Sequence, residues 1–322
     1  MEAIGVDLGG TKMLVGVIDS DRRVLYRSTA PSLGLRRNEL LDTLEHELRN
    51  AREARPRAEI AGLGIPCTID RGRGVAIIAV NLDLADVPVS ALMTDRLGLP
   101  VFMDNDSNVA MLAEHLYGAA RGAANAVMLT IGTGIGGGLV IDGRLYRGST
   151  GAGAELGHIV IEADGPPCQG NCPNRGCVEA LASGTAIARE GIAAARSAPD
   201  SALGRALASG AELDGKAVTD AALAGDETAR GVLELIGTRI GVALSSLANA
   251  LDPDVIVIGG GAIGAGELLV EPARAELATR ALPPMNGTRV VAAELGPDAG
   301  MVGAATMAML EQRDAASGAE AG

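Results

Sequence analysis

The sequence predicts an α/β protein composed of two related domains. Three observations predict it: a length of 322 residues, an alternation of strand-like and helix-like segments, and an internal repeat. A single hydrophobic core usually stops growing at about 250–300 residues, so this length favours two domains. Apolar strands that alternate with amphipathic helices are typical of α/β folds.

The internal repeat relates residues 4–19, IGVDLGGTKMLVGVID, to residues 127–142, VMLTIGTGIGGGLVID. The offset is constant (127 − 4 = 123) and aligns Gly9 with Gly132. Each copy reads as strand, glycine turn, strand. We therefore predict a first domain over 1–118 that a C-terminal helix completes, a second domain over 119–298, and a disordered tail over 313–322.

The remaining elements follow from apolar periodicity and from turn residues. In the first domain, the predicted strands cover 3–8, 13–19, 24–29, 59–66 and 101–103, and the predicted helices cover 37–55, 108–120 and, near the C-terminus, 299–312. Beyond the repeat, the second domain has predicted helices over 183–195, 216–224 and 227–250, and predicted strands over 254–261 and 289–292.

Composition excludes several classes of partner. The chain carries 27 Lys and Arg against 40 Asp and Glu, a net charge of −13, and only 1% of its residues are aromatic. A phosphate backbone would be repelled, and few rings are available for base stacking, so nucleic acid is not an expected partner. No signal peptide and no run of about 18 apolar residues is apparent, which predicts a soluble, cytoplasmic protein without a membrane span.

Two glycine turns are candidate phosphate-binding sites. Glycines at a turn allow backbone N–H groups to approach an anion closely, and hydroxyls or a lysine strengthen such a site. A tight β-hairpin is the alternative for either turn alone. Two turns related by duplication would clamp a polyphosphate across a central cleft, and Asp7 would hold Mg²⁺ beside it. The candidate residues are Gly9, Gly10, Thr11 and Lys12 in the first glycine turn, and Gly132, Thr133 and Gly134 in the second.

The segment DNDSN places polar side chains where a strand ends and a helix begins. Asp106 is suited to accept the proton of a sugar hydroxyl, and the neighbouring amide of Asn105 is suited to bind an adjacent hydroxyl. The alternative is helix capping by Asp106 or Ser107, which needs only one such residue.

Three of the four cysteines and one histidine fall in a Pro/Gly-rich segment, which we call the cysteine loop (158–177). Their number and spacing predict a structural zinc site without an open coordination position, and clustered buried thiols are the alternative. Two carboxylates, Glu155 and Glu179, flank the loop, which predicts a rigid wall that binds a ligand between them. The predicted zinc ligands are His158, Cys168, Cys172 and Cys177.

The order of these motifs resembles that of the ROK family of sugar kinases and related repressors, which share the actin-like, ribonuclease H-like ATPase fold. The resemblance spans residues 3–303 and is carried by DLGGTK, GIP, NDSN, IGTGIGGG, ELGH, the cysteine loop together with the Glu179 that follows it, and VIVIGGG. It implies ATP-dependent phosphorylation of a hexose at its 6-hydroxyl with Asp106 as the base, and a homodimer. It places Gly260 and Gly261 beside the adenosine. The sugar ligands that it implies are Asn81, Asn105, Asp106, Glu155, His158 and Glu179.

The chain departs from the family pattern in three places. The cysteine spacing is C-x3-C-x4-C where the family commonly has C-x-C-x4-C, Cys67 replaces a glycine after GIP, and the segment after Asn81 lacks a tryptophan. Glucose is the expected sugar, with mannose, fructose, N-acetylmannosamine and allose as alternatives. Polyphosphate is an alternative donor.

A repressor, a sugar sensor and an actin-like assembly protein are the alternatives from other functional classes. The first glycine turn lies within ten residues of Met1 and the chain is acidic, which argues against a preceding DNA-reading domain. Asp106 and both glycine turns argue against a non-catalytic sensor, and the cysteine loop argues against a filament.

Overall fold

The computed structural model describes residues 1–79 and 82–320, and Asn81, a predicted sugar ligand, lies outside the described residues. The chain forms two compact units. The first unit comprises residues 1–118, 145–154 and 297–322, and the second comprises 119–144 and 155–296.

The first unit contains a five-stranded sheet in the order β3-β2-β1-β4-β8. β1 and β2 pair antiparallel, and β4 is parallel to β1 and to β8. These strands, with the helices between them, confirm the predicted α/β alternation. The strands are β1 (Glu2–Leu8), β2 (Lys12–Asp19), β3 (Val24–Pro31), β4 (Ala58–Ile65), β5 (Cys67–Asp70), β6 (Val75–Ala79), β7 (Ala85–Val87) and β8 (Val101–Asn105), and the first helices are α1 (Arg37–Ala54), α2 (Val89–Leu97) and α3 (Asp106–Tyr117).

Three short strands and one helix between Cys67 and Leu97 have no counterpart among the elements predicted from sequence. Strands β5, β6 and β7 form a separate three-stranded antiparallel sheet, and α2 follows it. The three strands have four, five and three residues, too short to give a clear period-two pattern. Their pairing depends on tertiary contacts that no local pattern reveals.

A long C-terminal helix, α10 (Ala299–Glu320), belongs to the first unit. It lies so close to the main sheet that a Cβ on Gly5 or on Gly62 would stand 2.0 or 1.9 Å from a carbonyl oxygen of the helix. The helix continues to Glu320 and so includes residues 313–320, where the sequence predicts the start of a disordered tail. The alanine-rich sequence after Arg313 has high helix propensity, which explains the extension.

The second unit repeats the architecture of the first. Its sheet has the order β11-β10-β9-β12-β13, in which β9 and β10 correspond to β1 and β2. The strands are β9 (Ala126–Ile131), β10 (Ile135–Ile141), β11 (Arg144–Tyr146), β12 (Val255–Gly259) and β13 (Arg289–Ala292), and the helices are α4 (Val178–Ala182), α5 (Gly184–Ser197), α6 (Ala202–Ala208), α7 (Gly215–Leu223), α8 (Glu227–Leu251) and α9 (Glu267–Arg280).

Helix α8 is long and apolar enough to pass a length and composition test for a membrane span. However, 61% of its most apolar 18-residue window is buried inside the protein. It packs against α4, α5, α7 and α9 of the same unit. The helix is therefore explained as a core helix of the second unit.

Residues 145–154 pack with the first unit, whereas the repeat predicted them in the second domain. Leu145 packs against a buried cluster that contains Val109 and Leu112 of α3. The amino-acid composition does not change at residues 145 or 154, so the sequence gives no indication that the chain returns to the first unit there.

Candidate active site

The first glycine turn joins β1 to β2 in a closed loop of backbone hydrogen bonds. The Gly9 N–H donates to the Lys12 carbonyl at 3.0 Å, and the Ser32 hydroxyl donates to the Gly9 carbonyl at 2.6 Å. Thr11 and Lys12 are exposed and Gly10 is half-buried. The turn therefore presents a hydroxyl and an ammonium group to solvent.

Asp7, at the end of β1, is half-buried below this turn. Burial raises its pKa to about 7; the negative charge of Asp106 adds to this rise, and the Lys12 ammonium opposes it. A Cβ on Gly300 would stand 2.6 Å from the Asp7 carboxylate, so the first turn of α10 closes one side of the group. A nearby divalent cation would favour the ionised form of such a carboxylate.

Asn105 and Asp106 lie where β8 meets α3. The Asn105 side chain caps α3 by accepting hydrogen bonds from the N–H groups of Ser107 (2.9 Å) and Asn108 (3.3 Å). The predicted cap at Asp106 or Ser107 is therefore wrong by one or two residues. An asparagine is as good a cap as an aspartate, which is why composition alone did not distinguish them.

Asp106 is the first residue of α3, and one of its carboxylate oxygens accepts from the Ser107 N–H at 2.9 Å. Burial raises the pKa of Asp106, while the hydrogen bonds from Ser107 and from its own backbone N–H oppose the rise. A carboxylate with a raised pKa is a better proton acceptor near neutral pH than an ordinary aspartate.

A buried acid that the sequence reading gave no role holds this motif in place. Asp104 is 1% exposed, and its Oδ1 accepts from the Asn105 N–H at 2.8 Å and from the Asn108 side chain at 3.0 Å. Its Oδ2 accepts from Arg147 Nε and lies 3.7 Å from Arg71 Nε. The two arginines are distant in sequence, so no local motif predicted that they meet at Asp104.

The second glycine turn joins β9 to β10 in the second unit. The Gly132 N–H donates to the Gly134 carbonyl at 2.9 Å. Gly260 follows β12 with φ of 84°, and a Cβ there would stand 2.5 Å from the Ile131 carbonyl oxygen. The structure thus brings the predicted adenosine-side glycines, Gly260 and Gly261, next to this turn.

The four predicted zinc ligands converge in the second unit. His158 Nδ1 lies 3.6 Å from Cys168 Sγ, and the Cys172 and Cys177 sulfurs are 3.9 Å apart. All four donor atoms lie within 4.8 Å of one another. Tetrahedral zinc with ordinary bond lengths separates nitrogen from sulfur by about 3.6 Å and two sulfurs by about 3.8 Å, so the donor set fits the ion.

A short hairpin accommodates the two additional residues between Cys168 and Cys172. Pro167 forms a bridge with Arg175, and the Cys168 N–H donates to the Asn174 carbonyl at 2.9 Å. The displaced Cys168 therefore still reaches the cluster, with a turn around Gly170 (φ 59°) accommodating the extra residues.

Burial and neighbouring sulfurs raise the pKa of the Cys168 thiol, and burial raises that of Cys177. Thiols in this state resist ionisation unless a cation is bound, because each new thiolate adds negative charge to the others.

The two carboxylates that flank the cysteine loop differ in environment. Glu155 is exposed and precedes a short 3₁₀ turn (Leu156–His158), whereas Glu179 is half-buried in the first turn of α4. Glu179 Oε2 accepts from the Ile135 N–H at 2.7 Å.

In the first unit, Cys67 is buried, and its carbonyl accepts from the Asn105 amide at 3.4 Å.

The chain matches the ROK family over residues 3–311. It is 36% identical to the glucokinase of Thermotoga maritima, over 95% of this chain and 97% of that protein. It is 33% identical to the N-acetylmannosamine kinase of Citrobacter koseri, over 96% of this chain and 99% of that protein. The similarity therefore extends over nearly the full length of two sugar kinases.

Among solved structures, the fold is similar to that of a ROK family glucokinase from Streptomyces griseus in complex with glucose and AMPPNP. The TM-score is 0.87 at 33% identity, over 96% of this chain and all of that one (100%). The predicted actin-like ATPase fold is thereby confirmed.

Proposed function

The chain belongs to the ROK family, and on that premise we propose that it is an ATP-dependent glucokinase that converts glucose to glucose 6-phosphate. The observation that carries the proposal is the full-length similarity to glucokinases, together with an Asp106 whose pKa is raised at the start of α3. We further propose that the enzyme acts in the cytoplasm, in glycolysis, as a homodimer.

In this proposal Asp106 takes the proton of the 6-hydroxyl as the hydroxyl attacks the γ-phosphorus. The Asn105 side chain both caps α3 and holds the base at the helix N-terminus. Phosphoryl transfer needs little covalent help from the protein, so positioning and charge stabilisation supply most of the rate. The buried ion pairs of Asp104 support that positioning.

The nucleotide is proposed to bind through both glycine turns, with Lys12 beside the phosphates and Gly260 and Gly261 beside the adenosine. Asp7 would hold Mg²⁺, which when bound neutralises charge on the transferring phosphates. The raised pKa of Asp7 supports this role, because a carboxylate crowded by Asp106 is stabilised by a cation.

Structural zinc is proposed at His158, Cys168, Cys172 and Cys177, on the strength of the donor distances. Nδ1 of His158 faces the sulfurs, which leaves Nε2 on the opposite edge of the ring for a sugar hydroxyl. Glu155 and Glu179 would bind further hydroxyls. Zinc in this position fixes the loop that carries these groups.

A kinase for another hexose is the second candidate, favoured by the 33% identity to an N-acetylmannosamine kinase. Pockets distinguish such sugars by single substituents. A coupled assay for ADP release, with ATP and a panel of glucose, mannose, fructose, allose and N-acetylmannosamine, tests both. Glucose should give the highest kcat/KM, and a protein that releases ADP with none of these sugars would contradict the proposal. Polyphosphate in place of ATP tests the donor.

A further inference from the structure

Glu179 touches both the cysteine loop and the second glycine turn. Its Oε2 accepts from the Ile135 N–H at 2.7 Å, and its Oε1 lies 3.8 Å from Cys168 Sγ. A Cβ on Gly134 would stand 2.3 Å from Oε2. One carboxylate thus has one oxygen fixed on the turn and the other beside a predicted zinc ligand.

The 3₁₀ turn that carries His158 packs against Ile135, the residue that begins β10 directly after the second glycine turn. A Cβ on Gly157 would stand 2.0 Å from the Ile135 carbonyl oxygen. Ile135 therefore donates its N–H to Glu179 and has its carbonyl covered by Gly157. A displacement of Ile135 would therefore shift Gly157, just before the cysteine loop, and Glu179, just after it.

A third connection runs through the start of α5. Gln169 of the cysteine loop donates to the Ser183 hydroxyl at 2.9 Å, and the Gly184 N–H donates to the Gly132 carbonyl at 2.8 Å. The Thr185 hydroxyl donates to the Thr133 carbonyl at 3.0 Å. The helices that follow the cysteine loop thus brace the turn directly.

We propose that Glu179 couples the sugar-binding loop to the nucleotide-binding turn, so that displacing either one weakens binding at the other. This rests on the proposed function, because it assigns sugar to the loop and phosphate to the turn. A charge-assisted hydrogen bond such as Ile135 N–H to Glu179 is strong enough to change affinity about tenfold or more. By linkage, the coupling acts equally in both directions.

The sugar arm of the test uses two glycines of the same turn. Gly134→Ala adds a methyl group that displaces the Glu179 carboxylate, whereas Gly132→Ala adds one whose nearest atom is 4.0 Å away. Glucose affinity is measured by calorimetry without nucleotide, since the chain has no tryptophan to report binding. Gly134→Ala should weaken glucose binding at least about tenfold, and Gly132→Ala less than about twofold.

The nucleotide arm uses Glu179 itself, with AMPPNP and no sugar. Glu179→Gln retains an oxygen that accepts from Ile135, whereas Glu179→Ala does not, and both variants remove the charge. Glu179→Ala should bind AMPPNP about three- to tenfold more weakly than Glu179→Gln. Circular dichroism and zinc content, matched to wild type, establish that the variants are folded.

Equal glucose affinities of the two alanine variants, or equal AMPPNP affinities of the two Glu179 variants, would overturn the coupling. Failure of the wild-type protein to bind any hexose would instead overturn the proposed function. The AMPPNP comparison does not depend on the sugar, so it decides the coupling in that case too.

Discussion

The two glycine turns occupy equivalent positions in the repeat, but they differ in how the backbone closes and in what supports them: Gly9 bonds to Lys12, and Gly132 bonds to Gly134. The first turn stands above Asp7, while the repeat places Thr130 at the equivalent position of the second (7 + 123 = 130). The second turn is held instead by Glu179, from the helix that follows the cysteine loop. The two carboxyl groups with raised pKa values, Asp7 and Asp106, therefore lie in the first unit, whereas the second turn is held by a hydrogen-bonded carboxylate.

The largest effect is expected from removing the carboxylate charge of Asp106 in the first unit. Asp106→Asn should lower kcat by roughly 10²–10⁴-fold, because a general base is lost, while glucose affinity changes little. Steady-state kinetics and calorimetry measure the two quantities. A variant that keeps most of its turnover would show that another group takes the proton.

Removing a predicted zinc ligand in the second unit should instead reduce glucose affinity. Cys172→Ser is expected to lose zinc and to weaken glucose binding by roughly 10–100-fold, as loss of support around a metal site commonly does. Metal analysis and calorimetry check this, with Cys67→Ser as the control, since Cys67 lies outside the cluster. Full glucose affinity in a zinc-free protein would contradict the bracing role.

Removing one Asp104 ion pair tests whether buried ion pairs position the Asn105–Asp106 segment in the first unit. Arg147→Met should lower the free energy of unfolding by about 1–3 kcal/mol, since the buried Asp104 carboxylate loses its closer ion-pair partner and keeps Arg71 Nε at 3.7 Å. It should lower kcat roughly tenfold by misplacing the motif. Urea unfolding and kinetics measure both, and Arg73→Met is the matched control because Arg73 is exposed. Identical behaviour of the two variants would remove the positioning role of Asp104.

The smallest expected effect concerns pH. The pKa of Asp7 is about 7 in the folded protein against 3.8 for an ordinary aspartate, so the folded state binds this proton more tightly. Stability from this group is present below about pH 4 and is lost as the pH rises through 7.

Asp7→Asn should therefore raise the thermal midpoint at pH 8 by at least about 2 °C and leave it unchanged near pH 4. Calorimetric scans at the two pH values measure this difference. An equal effect at both would show that the substitution acts through packing and not through ionisation.

Local patterns predicted much of this protein. The repeat predicted a strand, a glycine turn and a strand in each unit, apolar periodicity predicted α1, and the cysteine spacing predicted four residues whose donor atoms the structure brings within 4.8 Å of one another. Contacts between distant segments escaped prediction. Arg147 reaches Asp104 across 43 residues, and Glu179 reaches Ile135 across 44, and neither pair has a sequence signature. The roles as sugar ligands stay predictions for all six residues, Asn81, Asn105, Asp106, Glu155, His158 and Glu179.

The position of α10 at the C-terminal end of the chain also affects the order in which the two units fold during translation. This helix packs directly on β1 and β4, yet it is translated after the whole of the second unit. The second unit can bury its core while its last residues are still being made, but the first unit must wait with one sheet face uncovered. We expect the nascent first unit to be the chaperone-dependent half, because its closing contact spans nearly the entire chain.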